Sequence, residues 1–209
     1  MATGFRSAVF LDRDGVINEL APDRSSGSPE SPLVSSDVRL LPRAAVAVRR
    51  LREAGLFLVG VSNQPASAKG SAPLEDLLSV QARVVSLLAD AGATLDDWRL
   101  CMHHPHGVVP ELTKTCTCRK PAPGLLLKAA SEFNLDLGSS WMVGDTDADI
   151  GAGAAAGCRT VLLEQPLSAH KRNGTSSPDW RVTDLESAAD LIVGVLQQGG
   201  SRATAPKPS

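Results

Sequence analysis

The chain contains no tyrosine, and aromatic residues make up only 3% of it. Its core must therefore rest on Ala, Val and Leu rather than on stacked rings. No apolar stretch approaches the roughly 20 residues that a membrane-spanning helix needs, so no membrane partner is expected. There is no block of Lys or Arg, and the formal net charge is -2. Without a basic field, nucleic acid is not an expected partner. The start MATGFRSAVFLDRDG lacks the charged opening and longer apolar run of a signal peptide. A cytoplasmic location is expected on that ground. In such a reducing compartment, four cysteines point to metal binding before disulfides.

What is present suits one soluble, well-filled domain: 209 residues, 43% hydrophobic and 21% charged. Short apolar runs alternate with longer helical patterns, which predicts βα units and a mostly parallel sheet. The expected strands cover 8–11, 56–61, 98–102, 140–144 and 160–163. The expected helices cover 42–54, 73–91, 123–133, 150–156 and 185–197. Residues 21–36 and 164–182 read as loops. Residues 1–198 read as one domain and 199–209 as a disordered tail.

The polar residues of interest follow the expected strands, where open α/β sheets bind ligands. Asp12-Arg13-Asp14-Gly15 follows the first strand. Alternation along an extended segment points Asp12 and Asp14 to one side and Arg13 to the other. Two carboxylates so close call for a cation, and Mg²⁺ suits carboxylates together with phosphate oxygens. Ser62-Asn63 follows the second strand with a hydroxyl and an amide. Arg119-Lys120-Pro121 reads as two cations opening a helix, a position favourable to anions. Gly144-Asp145-Thr146-Asp147-Ala148-Asp149 is an acidic turn able to complete a metal site. Each piece also has a plain structural reading, as a turn, a cap or a solvated pair; their order is what is specific.

Three of the four cysteines and three of the four histidines crowd into 101–118. Cys101 with His103, then Cys116 with Cys118, can supply a closed tetrahedral Cys₃His zinc site. His104 and His106 are alternative ligands. Free thiols, or a disulfide between Cys116 and Cys118, form the competing reading. Cys158 reads as a buried small apolar residue.

The ordered set LDRDGVIN, VSNQ, RKPAPG and VGDTDADI resembles the haloacid dehalogenase superfamily of phosphotransferases. The resemblance implies a three-layer, Rossmann-like α/β sandwich with a mostly parallel central sheet. It implies Asp12 as nucleophile, Asp14 as general acid and base, and Ser62 and Lys120 as holders of the transferring phosphate. Mg²⁺ would be ligated by Asp12, the backbone carbonyl of Asp14, and Asp145, with Asp149 orienting that shell.

The C-x-H-H-P and C-x-C-R-K-P pieces are similar to the zinc-loop phosphatases of that superfamily. These include heptose-bisphosphate and histidinol-phosphate phosphatases. The family has no large cap domain; the zinc loop takes its place. The separation of Cys101 from Cys116 resembles the longer, heptose type of loop. Asn63 and Arg119 would then contact the substrate beyond its scissile phosphate. The chain departs from the family's T-N-Q-S-G-I-A-R-G at Ser62, at Pro65 to Ser67, and at Lys69, which keeps the charge but loses the arginine fork. The expected activity is Mg²⁺-dependent hydrolysis of a small phosphorylated sugar, a heptose bisphosphate first. Histidinol phosphate or another small phosphomonoester is the alternative. A non-enzymatic binding module using the zinc loop as a contact surface is the third reading. A compact domain of this kind can act as a monomer.

Overall fold

The computed structural model describes residues 5–23 and 27–198; the tail expected over 199–209 lies outside the described residues. The strands are β1 (Ala8–Leu11), β2 (Ala21–Pro22), β3 (Pro29–Glu30), β4 (Phe57–Asn63), β5 (Asp97–Cys101), β6 (Trp141–Gly144), β7 (Arg159–Leu163) and β8 (Trp180–Val182). The helices are α1 (Ala44–Glu53), α2 (Leu74–Asp90), α3 (Gly124–Phe133), α4 (Asp147–Ala156) and α5 (Leu185–Gln197).

Six strands form one sheet in the order β5-β4-β1-β6-β7-β8, and each neighbouring pair runs parallel. β1 is fully buried, as a central parallel strand must be. Alternation divides its side chains between two cores. Val9 and Leu11 join α1, α2 and α5 on one face; Ala8 and Phe10 join α3 and α4 on the other. The result is the expected three-layer sandwich. No helix among the described residues is long and apolar enough to cross a membrane.

The order places β1 between strands that follow it in the chain on either side, which makes its carboxyl end a topological switch point. The ends of β4, β1 and β6 therefore open onto one cleft. No cap domain interrupts the described chain. Between β1 and α1 the described residues form the small antiparallel pair of β2 and β3 and a 3-10 turn at Ser35–Asp37.

Several expectations shift. The segment 164–182 is not all loop, since a 3-10 helix spans Pro166–Lys171 and β8 adds a sheet edge. Three residues are too few to show alternation; Trp180 is held there by Trp141, with ring centroids 5.0 Å apart. The segment 21–36 likewise holds β2 and β3. β4 runs two residues beyond expectation, so Ser62 and Asn63 are strand residues. Arg119 and Lys120 do not open α3, which begins at Gly124. Pro121 and Pro123 disfavour helical geometry in the residues before them, and a turn from Arg119 to Ala122 fills the gap.

Candidate active site

The chain leaving β1 stays bound to the sheet: the Asp12 amide donates to Val143 O at 2.9 Å. Asp12 is buried, and its Oδ1 accepts from Lys120 Nζ at 2.7 Å. The same ammonium donates to Val61 O at 2.7 Å and pairs with Asp149 Oδ1 at 2.6 Å. Lys120 is set by Asn63, whose amide nitrogen donates to Lys120 O and whose oxygen accepts from Lys120 N, both at 3.0 Å. Both ends of the Asn63 amide are thus spent on positioning the lysine.

Burial opposes charge on Lys120, but Asp12 and Asp149 outweigh it and hold its ammonium above the usual lysine range. Asp12 is pushed up to about 6, chiefly by burial, with Asp149 and Asp14 adding to the effect and Lys120 opposing it. Asp145 is raised well above the carboxylate range by burial, Asp12 and Asp149. Its Oδ1 is buried with no hydrogen-bond partner. Gly15 lies against the other oxygen. A Cβ there would stand 2.1 Å from Asp145 Oδ2, and φ of +86° is a region open to glycine.

Oxygens of Asp12, Asp145 and Asp149 lie within 4.8 Å of one another. An orphaned carboxylate oxygen among mutually repelling, buried carboxylates is the chemistry of a hard-cation site, so these residues fit Mg²⁺. Asp149 is the most committed of the three. Besides Lys120, it accepts from Thr146 N at 3.0 Å and Thr146 Oγ1 at 2.6 Å, which caps α4. α4 begins at Asp147 rather than near 150 because Thr146 supplies that cap.

Asp14 faces the cleft near Asp12, yet its carboxylate is already occupied. Arg13 donates twice, Nε to Oδ1 and Nη2 to Oδ2, each at 3.0 Å. Asn18 Nδ2 adds a bond to Oδ1 at 2.8 Å and Gln64 Nε2 one to Oδ2 at 2.6 Å. Burial favours the neutral form, but these donors prevail and hold Asp14 below the usual carboxylate range. Sequence alternation turned Arg13 away from the site; in the structure its fully buried guanidinium folds back to grip the next residue. Gln64 and Asn18 were also missed. Their signal was present, since Gln64 stands two residues after Ser62 and Asn18 four after Asp14.

Ser62 and Arg119 also line the cleft, whose volume is about 300 Å³. Ser62 Oγ accepts from Gln64 Nε2 at 3.0 Å, and Arg119 donates to His103 O at 3.3 Å.

Beside the cleft, leading into its lining residues Arg119 and Lys120, is the cysteine loop. Cys101 Sγ lies 3.6 Å from Cys116 Sγ and 3.1 Å from Cys118 Sγ, and Cys116 to Cys118 is 3.2 Å. His103 Nδ1 completes the group at 3.7 Å from Cys101 Sγ and 3.3 Å from Cys118 Sγ. All three thiols are free, which excludes the Cys116–Cys118 disulfide. Zinc–sulfur bonds near 2.3 Å give tetrahedral edges of about 3.8 Å; the Cys101 to Cys116 spacing comes near this, and the other two are shorter. The residues therefore fit zinc. His104 and His106 do not join the cluster; His104 Nδ1 instead accepts from the His106 amide at 3.1 Å. Cys158 is buried away from it.

The HAD-hydrolase-like family model matches residues 117–188. A D-glycero-beta-D-manno-heptose-1,7-bisphosphate 7-phosphatase from Yersinia pestis is 38% identical over 184 residues, covering 88% of this chain and 92% of that protein. A D-glycero-D-manno-heptose-1,7-bisphosphate 7-phosphatase from Thermosynechococcus vestitus is 36% identical over 197 residues, covering 90% and 95%. Among solved structures, D,D-heptose 1,7-bisphosphate phosphatase from B. bronchiseptica, complexed with magnesium and phosphate, superimposes with a TM-score of 0.70 at 27% identity. That match covers 92% of this chain and 99% of the other. With a relative this similar aligned over most of both chains, and with Asp12, Lys120 and Asp145 gathered at the ends of a parallel sheet, the chain belongs to the haloacid dehalogenase-like hydrolases, in the family of the heptose-1,7-bisphosphate 7-phosphatases.

Proposed function

We propose that the chain is a Mg²⁺-dependent phosphatase that removes the 7-phosphate of D-glycero-D-manno-heptose 1,7-bisphosphate through an aspartyl-phosphate on Asp12. One observation carries the chemistry: Asp12, 2.7 Å from the Lys120 ammonium, stands beside Asp145 with its orphaned buried oxygen. The heptose substrate is supported by the names of the relatives. The working unit is one domain over 1–198, with its zinc loop at about 101–118. A cytoplasmic site of action keeps the thiols reduced.

In the first step an Asp12 carboxylate oxygen bonds to phosphorus and the phosphorus–sugar oxygen bond breaks, while Asp14 gives its proton to the departing oxygen. In the second step Asp14 takes a proton from water, whose oxygen bonds to phosphorus as the Asp12–phosphate bond breaks. Asp14 rests ionised in the fork of Arg13. An arriving phosphate dianion raises its proton affinity, so that Asp14 takes up one proton from solvent before the first transfer. Ser62 and Lys120 hold the transferring phosphate; Asn63 keeps Lys120 in place and Arg119 reaches the rest of the substrate. Mg²⁺ held by Asp12, Asp145 and the Asp14 carbonyl offsets charge on the phosphoryl oxygens. Zinc held by Cys101, His103, Cys116 and Cys118 fixes the wall that carries Arg119.

The test is phosphate release from the heptose bisphosphate, with and without Mg²⁺, beside histidinol phosphate. Strong Mg²⁺-dependent turnover of the heptose is expected. Equal or better turnover of histidinol phosphate overturns the substrate. Asp12→Asn is expected to lower kcat by about a thousandfold or more; unchanged turnover overturns the nucleophile.

A further inference from the structure

One ion pair in the cleft has no part in the chemistry above. Lys171 Nζ meets Glu30 Oε2 at 2.8 Å, and both side chains line the cleft that holds Asp12 and Asp145. They come from separate excursions of the chain. Glu30 ends β3, while Lys171 ends the 3-10 helix that follows β7. Their side chains are 49% and 28% exposed, so the pair sits at the mouth of the cleft rather than on its floor. Solvent screens it, and such a pair is weak.

The position of Lys171 is nonetheless well defined. The next residue, Arg172, donates from Nη1 to Asp145 O at 3.0 Å and to Ser168 Oγ at 3.1 Å, and from Nη2 to Gln165 O at 3.0 Å. The segment is thereby fastened to the backbone of the carboxylate that completes the cation site. Lys171 thus projects from an anchored segment, on a wall that bears neither Lys69 nor Arg119.

A second cavity of about 300 Å³ adjoins the cleft and shares Glu30, Ser31, Pro65 and Lys69 with it. Asp23, Glu30 and Asp37 line that cavity with a single cation, Lys69, so carboxylates outnumber cations there and an anion is disfavoured. A substrate anion remote from the scissile phosphate is thus left with the cations of the cleft, Lys171 among them.

Resting on the phosphatase reading, we propose that Lys171 is a specificity residue: it exchanges Glu30 for a second phosphate on the sugar and so selects bisphosphorylated substrates. Glu30 occupies the lysine while the cleft is empty. A phosphate dianion forms the stronger charge-assisted bonds, and the released Glu30 carboxylate passes into solvent.

The experiment measures kcat/KM for heptose 1,7-bisphosphate and for heptose 7-phosphate, which keeps the scissile group and lacks the second one. The unsubstituted chain, Lys171→Ala, Lys171→Arg and Glu30→Gln are compared, with Mg²⁺ present. In Lys171→Ala the preference for the bisphosphate is expected to fall by about tenfold or more, through KM. Lys171→Arg is expected to keep most of it, and Glu30→Gln to raise it by removing the competing carboxylate. A purely structural pair predicts equal loss on both substrates, and that result, or an unchanged preference, overturns the proposal. If the unsubstituted chain hydrolyses an aryl phosphate yet shows no preference for the bisphosphate, Lys171 is overturned and the phosphatase reading stands. If it hydrolyses no phosphate ester at all, that reading fails and this one falls with it.

Discussion

Asp14 draws donors from three directions: Arg13 beside it, Asn18 one turn on, and Gln64 from the end of β4. Arg13 is fully buried and also donates to Gln81 Oε1 at 3.2 Å, so the guanidinium ties β1 to α2. Removing one partner of such a pair leaves an uncompensated buried charge, which costs roughly 3–5 kcal/mol. Arg13→Met is therefore expected to destabilise the fold by about that much, and Arg13→Met on an Asp14→Asn background by distinctly less. A double-mutant cycle by denaturant unfolding measures the difference; equal costs on both backgrounds would deny the pairing. The pH dependence has a definite sign. Asp14 is held below its ordinary value of 3.8 in the folded state. Its contribution is present above the unfolded pKa and is lost as pH falls through the lower folded value. Asp14→Asn is expected to flatten the acid limb of stability against pH, below about pH 4.

At the scale of elements, α5 shows how a helix is specified and what its cap contributes. Leu185, Ala188, Ala189 and Ile192 recur at helical spacing and are buried against the sheet. Asp184 precedes them, and its carboxylate accepts from Ser187 N at 2.8 Å. Asp184→Ala is expected to cost about 1 kcal/mol, seen as a lower denaturant midpoint with an unchanged m-value. This helix was legible over 185–197 because apolar period and length agree. β8 was not, since Trp180-Arg181-Val182 is too short for any period and exists because β7 offers an edge. The same limit applies within the site. Asp12, Lys120 and Asp145 were legible because their order along the chain carries the signal. The Arg13 fork, the Asn63 clamp on Lys120 and the Arg172 anchor on Asp145 are side-chain contacts. Their partners lie far apart in the chain, or next door on what alternation assigns to the opposite face.

At the scale of the whole molecule, two ways of making order meet at the cleft. The sheet and its helices are ordered by burial, through residues such as Phe10 and Leu126, which are fully buried. The loop between β5 and α3 has no comparable apolar content; between Met102 and Lys120 no hydrophobic residue is buried. Its order is expected to depend on the thiol and imidazole group at its base, where Cys101 lies within the apolar core. Arg119 and Lys120 follow directly on Cys118, and since Asn63 clamps Lys120, a loosened loop is expected to displace Arg119 first, without touching the sheet. Chelation should therefore separate activity from folding. Removing about one zinc per chain is expected to lower turnover at least tenfold while the far-ultraviolet circular dichroism of the sheet and helices is retained. Cys116→Ser is expected to do the same, with zinc content measured on the purified protein. Full activity in a zinc-free preparation would mean that the loop orders itself, and that the cluster of three thiols and a histidine has no bearing on where Arg119 and Lys120 stand.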